Sequence, residues 1–467
     1  MHEIESLLLL AYEHILTVCG FLLAVVLIAR VLREPRPSGA ALAWLLGIVF
    51  LPYVGVPLYM VFAGRKIRRL IKSKAPLYPE VPTPMPDGRH GADVERVLAA
   101  AGMPPVREGN AVTLHWDGTQ AYDELLRLID GAQHSIHAMT FILGHDDVGR
   151  EIVRRLAAKA RAGVKVRLLL DSMGCFYTRG RFVQPLRDAG GEAAVFMPML
   201  PLRRKWSAHL RNHRKIVVVD GETAMIGGMN LSKYFMGPGE DPGRFLDAAT
   251  FVRGPAVHDA DTIFVRDWNF TTEQALEPAP LIAPIPGEGT ALQLMASGPD
   301  VPDDVLLDAF LIAAMDVNER IWIVTPYLVP DEAILKALAL QARMGRDVRL
   351  IVPKTSNHLS ADLARGPIAR ELARAGAKVY AYPTGMLHAK AMLFDHRIAM
   401  TGSPNLDMRS FYYNFESALL HYAPSEIDAV ERWMQALCDE CEPFDTKRPN
   451  LVREWFEGLA MLVAPLL

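Results

Sequence analysis

The sequence is short of cysteine. It holds 4, at positions 19, 175, 438 and 441, too few for a disulfide scaffold. Cys438 and Cys441 form one CxxC in an acidic, helical stretch. A structural zinc site normally needs a second pair, and no βαβ redox context surrounds this one, so no metal site is expected. Neither charge is in excess. With 50 Lys and Arg against 53 Asp and Glu, the formal net charge is −3, and the overall balance does not favour a nucleic acid partner. Long apolar runs are missing from the middle of the chain, which excludes a polytopic membrane protein. No Lys or Arg precedes the first apolar run and a second run follows it, which argues against a signal peptide.

What the middle lacks, the first ~65 residues hold, a composition of their own. Ile15 to Ala29 is apolar or small, and Leu7 to Tyr12 extends it across Glu13 and His14. A second run covers Ala40 to Ala63. The second is long enough to span a bilayer; the first spans only with Glu13 near an interface or paired. Pro35 and Pro37 suit a turn between them, and Pro52 and Pro57 suit a kink or a re-entrant shape. The expectation is a transmembrane or membrane-embedded helical hairpin within residues 1–74. It closes on Arg65, Lys66, Arg68, Arg69, Lys72 and Lys74. Such a cluster stays cytoplasmic and attracts anionic lipid. Arg30, Arg33 and Arg36 between the runs weaken the asymmetry, and both ends are still expected on the cytoplasmic side.

A chain of 467 residues exceeds what one core usually serves. Residues 75–110, rich in Pro and Gly, read as a linker with one short helix near Ala92–Ala101. Strand patterns at Ala111–His115, Ser135–Ile142 and Val164–Leu170 then alternate with helical patterns at Gln120–Ala132 and Val148–Ala162, the order of an α/β layer. The order returns with a helix at Asp303–Asp316, strands at Arg320–Thr325 and Asp347–Val352, and a helix at Asp331–Met344 between them. This predicts two duplicated α/β/α domains, 111–280 and 301–467, joined by a linker at 281–300.

The duplication carries a motif. His213-Arg-Lys215 leads through Ile216–Val219 to Asp220, then Gly227, Gly228 and Asn230; His388-Ala-Lys390 leads to Asp395, then Gly402, Ser403 and Asn405. Residues i and i+2 of a strand share a face, so each copy presents an imidazole beside an ammonium. The glycines allow close backbone approach to a ligand, and the asparagines offer amides to anionic oxygens. Two imidazoles suffice for metal-free phosphoryl transfer: one attacks phosphorus, the other protonates the leaving alkoxide and then deprotonates the incoming alcohol. The candidate catalytic set is His213, Lys215, Asp220, His388, Lys390 and Asp395, with Asn230 and Asn405 binding phosphate. Asp220 and Asp395 stand at the far end of a buried strand, where a structural role such as capping a turn suits them better than proton donation. Asp247 and Glu416 are candidate orienters of the imidazoles; which serves which stays open.

The two His-x-Lys-x4-Asp copies resemble the motifs of the phospholipase D superfamily. Leu210-Arg-Asn-His-Arg-Lys-Ile, Thr325-Pro-Tyr-Leu-Val-Pro-Asp-Glu, Leu387-His-Ala-Lys and Pro404-Asn-Leu-Asp-Met-Arg-Ser-Phe with Asn414-Phe-Glu416 extend the resemblance to its bacterial cardiolipin synthases. The N-terminal hairpin and the hydrophobic C-terminus fit as well, so nearly the whole chain is covered. The resemblance implies phospholipase D-like domains and transfer of a phosphatidyl group between two phosphatidylglycerols, giving cardiolipin and glycerol, without cofactor. It implies His213 as nucleophile and His388 as general acid and base, though symmetry permits the reverse, and Arg409 and Ser410 near the site. Where the family usually has Asp-x-His, this chain reads Asp247-Ala-Ala. The expected setting is the inner membrane of a bacterium with the domains in the cytoplasm; a homo-oligomer stays open. A phospholipase D hydrolase and a nuclease are the rivals. Lipid also explains the local cations Arg203, Arg204, Lys205 and Arg211.

Overall fold

The computed structural model describes residues 92–199, 210–301 and 303–463, with shorter stretches between 18 and 78. The chain divides into two units, Met1–Ser73 and Lys74–Leu467. In the first, Leu27, Val31, Ile48 and Tyr59 form a small core, with Trp44 edge-on to Tyr59 at 5.3 Å. Phe21, Leu22, Val26, Leu42 and Phe50 stay exposed. Among the described residues no helix is long and apolar enough to cross a membrane, so a spanning helix, one of the two expected forms, is not seen there. Arg65, Lys66, Arg68, Arg69 and Lys72 lie outside the described residues, as do Arg203, Arg204, Lys205 and Trp206.

The second unit is built on one sheet. Its first strands are β1 (Arg107–His115), β2 (Ser135–Thr140), β3 (Lys165–Asp171), β4 (Glu192–Phe196), β5 (Ile216–Val219), β6 (Thr223–Gly227) and β7 (Ala249–Arg253). Then come β8 (Thr290–Ser297), β9 (Arg320–Val324), β10 (Leu328–Val329), β11 (Asp347–Pro353), β12 (Lys378–Tyr382), β13 (Ala391–Phe394) and β14 (Ile398–Gly402). Last are β15 (Leu406–Asp407), β16 (Glu416–His421) and β17 (Glu442–Pro443). Fifteen of them run β17-β12-β11-β9-β13-β14-β16-β8-β1-β7-β6-β5-β2-β3-β4, and β10 pairs with β15 apart from these. The antiparallel pair β1/β8 is the centre of a two-fold arrangement. Outward from it, β7-β6-β5-β2-β3-β4 answers β16-β14-β13-β9-β11-β12. The expected duplication is thus two half-sheets fused edge to edge.

Local chemistry explains the elements. The helix Asp147–Arg161 is capped by Asp146, whose carboxylate accepts from the Gly149 N–H, and carries Lys159 and Arg161 in its last turn, where cations complement the dipole. Its Ile152 and Leu156 pack with Leu125, Val166 and Leu168. In the other half Leu387, Leu393, Val430 and Met434 form the matching core. Both motif strands, β5 and β13, turn back at once, through Asp220 at φ +54° and Asp395 at φ +52°. Asp is one of the few side chains that tolerates this left-handed region.

Candidate active site

The site forms where the two halves exchange backbone. His213 donates its N–H to the Phe415 carbonyl at 2.9 Å, and Phe415 donates to the Arg211 carbonyl at 2.9 Å. By the two-fold relation, His388 donates to Leu246 at 2.7 Å and Leu246 donates to Met386 at 2.9 Å. Each motif histidine is therefore stitched to the residue just before a carboxylate of the other half.

Those carboxylates complete the exchange. His213 Nδ1 lies 3.0 and 3.1 Å from the Glu416 oxygens, and His388 Nδ1 lies 2.6 Å from Asp247 Oδ2. The pairing left open by the sequence is crossed: the first histidine takes the second half's Glu416, the second takes the first half's Asp247. A carboxylate on Nδ1 fixes the proton there and leaves the lone pair on Nε2. Lys390 also approaches His388 Nδ1 at 2.6 Å, but one N–H serves one acceptor. The carboxylate is that acceptor, and the ammonium donates to the His388 carbonyl instead. Lys215 donates to the His213 carbonyl at 2.5 Å. The residues 213–215 lie just ahead of β5 rather than inside the strand.

Burial dominates the electrostatics. It pushes the His213 imidazole down to about 4 against the pull of Glu416. Burial, with Lys390 beside it, takes His388 to about 3. Burial also lowers the ammonium groups, Lys215 to about 7 and Lys390 to about 8. Burial pulls the carboxyls of Asp247 and Glu416 upward, but Lys390 and His388 outweigh it for the first and His213 for the second, leaving both below their ordinary values. The site thus holds two ionised carboxylates on two neutral imidazoles.

Both imidazoles line a cavity of about 1030 Å³, together with Asn230, Asn405, Arg211, Asp407, Arg409 and Asn414. Phe141 stands edge-on to His213 at 5.1 Å, and Phe235 to His388 at 5.0 Å. Asn230 Oδ1 accepts from the Ile142 N–H at 3.0 Å, which leaves its amide nitrogen as a donor. Asn405 differs: its Oδ1 is buried with no hydrogen-bond partner among the described residues, while its amide hydrogen-bonds the Asp407 carboxylate.

Asp220 and Asp395, set among the candidate catalytic residues with a structural role preferred, hold backbone and do not line the cavity. Asp220 accepts the N–H groups of Gln133, His134 and Ser135 at 2.7–2.8 Å; Asp395 accepts those of Asn318, Glu319 and Arg320 at 2.8–2.9 Å. Each ties its motif strand to the neighbouring one. Gly228 makes room for protein rather than ligand, because a Cβ there would lie 2.2 Å from Asp247 Oδ1. Its counterpart Ser403 instead donates to the longer Glu416 at 2.5 Å, a holding role that pairing Gly with Asp and Ser with Glu along the two copies would have suggested. Lys74, expected to meet lipid, is buried and paired with Asp267 and Asp300.

Crossed histidine–carboxylate dyads at the seam of a duplicated α/β sheet define a phosphodiester-transferring site of the phospholipase D class. The model of a family described as "Cardiolipin synthase, PLD-like domain" matches residues 125–268 and 311–438, and the chain belongs to that family. A second model, "Phospholipase_D-nuclease N-terminal", matches residues 22–64. The chain is 34% identical to a cardiolipin synthase of Geobacillus kaustophilus, over 95% of this chain and 92% of that one. It is 31% identical to cardiolipin synthase A of Pseudomonas putida, over 96% of each. Phosphatidylserine synthase of Haemophilus influenzae superposes with a TM-score of 0.62 at 14% identity, covering 80% of this chain and 100% of that chain, a likeness of fold.

Proposed function

We propose that the chain is a cardiolipin synthase that joins two phosphatidylglycerols at the inner face of a bacterial membrane. The observation that carries this is the pair of crossed dyads opening into one cavity. In the first step the Nε2 lone pair of His213 attacks phosphorus. The P–O bond to glycerol breaks, and His388 gives its Nε2 proton to the departing alkoxide. In the second step a hydroxyl of another phosphatidylglycerol gives its proton back to His388. Its oxygen forms the new P–O bond and the P–N bond breaks. The atoms balance without a cofactor.

The proton on His388 requires an imidazolium, which burial disfavours. A phosphodiester anion in the cavity offsets that burial, and Asp247 stabilises the charge. The same anion restores the charge on Lys215 and Lys390, which with the Asn230 amide hold the non-bridging oxygens. Purified protein incubated with phosphatidylglycerol alone should yield cardiolipin and glycerol. Phosphatidic acid as the sole lipid product would mean that water is the acceptor and would refute the transferase reading.

A further inference from the structure

The last helix, Leu451–Val463, is inside out. Leu451, Trp455, Leu459 and Leu462 form one stripe along it, with Val452 and Phe456 beside them. All six are exposed, Trp455 at 81% and Leu462 at 78%. The face turned to the protein carries Ala460 and a carboxylate, Glu457, exposed by only 1%. Glu457 bonds Arg370 at 2.5 Å and sits so close to Gly366 that a Cβ there would lie 2.6 Å from it. A helix in water does the reverse, burying Trp and Leu and wetting Glu. A contiguous exposed stripe of this size marks an interaction surface.

We propose that this stripe lies on an anionic phospholipid bilayer and sets the mouth of the cavity against it. This rests on the reading of the substrates as lipids. The partner helix Leu359–Ala375 joins stripe to cavity. Its Arg370 and Gly366 meet Glu457 of the last helix, while its N-terminal end supplies His358 and Ala361 to the cavity lining and carries Leu359, 75% exposed. The cavity rim continues the pattern. Met173, Tyr177 and Tyr234 line it and are all exposed, Tyr177 at 82%. Exposed Lys447 borders the stripe, with Arg448 and Arg453, which also pair with Glu454 and Glu457 of the same helix. Aromatic and aliphatic groups flanked by cations are the composition that settles at the headgroup level of anionic membranes. A lipid whose phosphate enters the cavity can keep its acyl chains in the bilayer only if the mouth rests there.

The test compares the full chain with its Trp455→Glu and Leu459→Glu variants on two substrates: phosphatidylglycerol vesicles, and short-chain phosphatidylglycerol below its micelle threshold. Vesicle turnover should fall roughly tenfold or more, since each change puts a charge where apolar area enters lipid. Turnover of the dispersed substrate should stay within about twofold, as for exposed substitutions generally. Unchanged vesicle turnover overturns the proposal, and so does equal loss on both substrates. Conversion of a dimer to a monomer by either variant in sedimentation velocity assigns the stripe to a second copy and overturns it too. If the unmodified chain transfers nothing, the transferase reading fails, and a second readout still decides the surface. A fluorophore on Leu462→Cys, compared with the unsubstituted chain under the same labelling, should be quenched by nitroxide lipids in vesicles; no quenching overturns the proposal.

Discussion

Asp247 and Glu416 differ by one methylene, and the chain compensates residue by residue. The shorter carboxylate fits against a bare Gly228; the longer is held by the Ser403 hydroxyl. Gly228→Ala should push Asp247 off His388 and lower kcat roughly a hundredfold, the usual cost of a misplacement near 1 Å, with the circular-dichroism spectrum unchanged; wild-type kcat would show that Asp247 has room to move. Glu416→Gln should lower kcat by on the order of 10²–10⁴-fold, because an amide neither fixes the tautomer nor supports the imidazolium. Single-turnover kinetics checks whether the loss falls on the chemical step.

A third residue-scale effect concerns pH. His421, on β16, meets Thr401 at 2.9 Å through Nε2, and burial pushes it from 6.5 to about 3. Between those values the unfolded chain binds a proton that the folded chain refuses, so stability rises with pH across that window. His213 adds the same sign from about 4 upward. His421→Gln should remove up to one proton from the slope of unfolding free energy against pH while preserving transfer. Urea titrations across the window measure it, and an undiminished slope would contradict the assignment.

At the scale of elements, the motif strands and their order were legible. Periodicity placed the alternation of strands and helices, and the repeated His-x-Lys run marked β5 and β13 as equivalent. The crossed carboxylates were not legible. Glu416 is 203 residues from His213 and Asp247 is 141 from His388, and no local pattern encodes contacts across a seam. The middle residue of the motif was also opaque. Arg214 stands where the second copy has Ala389, and it is fully buried. It donates to Asp267 at 3.0 Å, to Asp300 at 3.3 Å, and to the Glu416 carbonyl at 3.0 Å. It thereby clamps the first motif to the other half's carboxylate strand. Arg214→Met should cost about 3–5 kcal/mol, since it leaves buried carboxylates short of a partner. Chemical denaturation checks this; a loss within experimental error would mean that Lys74 alone neutralises the pair.

At the scale of the whole molecule, apolar surface collects at both ends of the chain. Phe21, Leu22 and Phe50 are exposed in the first unit, and Trp455 and Leu462 in the last helix. Composition foretold the first, because its apolar run is continuous. It left the second open, because thirteen residues of mixed pattern read equally as a packed helix or a surface one. Only the burial of Glu457 distinguishes them. The chemistry proposed here moves protons and a phosphatidyl group between imidazoles and alcohols, so turnover should stay within about twofold in excess chelator; abolition restored by a divalent ion would contradict it.

The crossing of the dyads also has a meaning in time. During synthesis the first motif leaves the ribosome some two hundred codons before the glutamate that holds its imidazole. Until then His213 has neither its carboxylate nor the Phe415 carbonyl that fixes its backbone. A product ending between the two motifs would carry His213 without the carboxylate that fixes its tautomer, and the arrival of Glu416 is what completes that dyad.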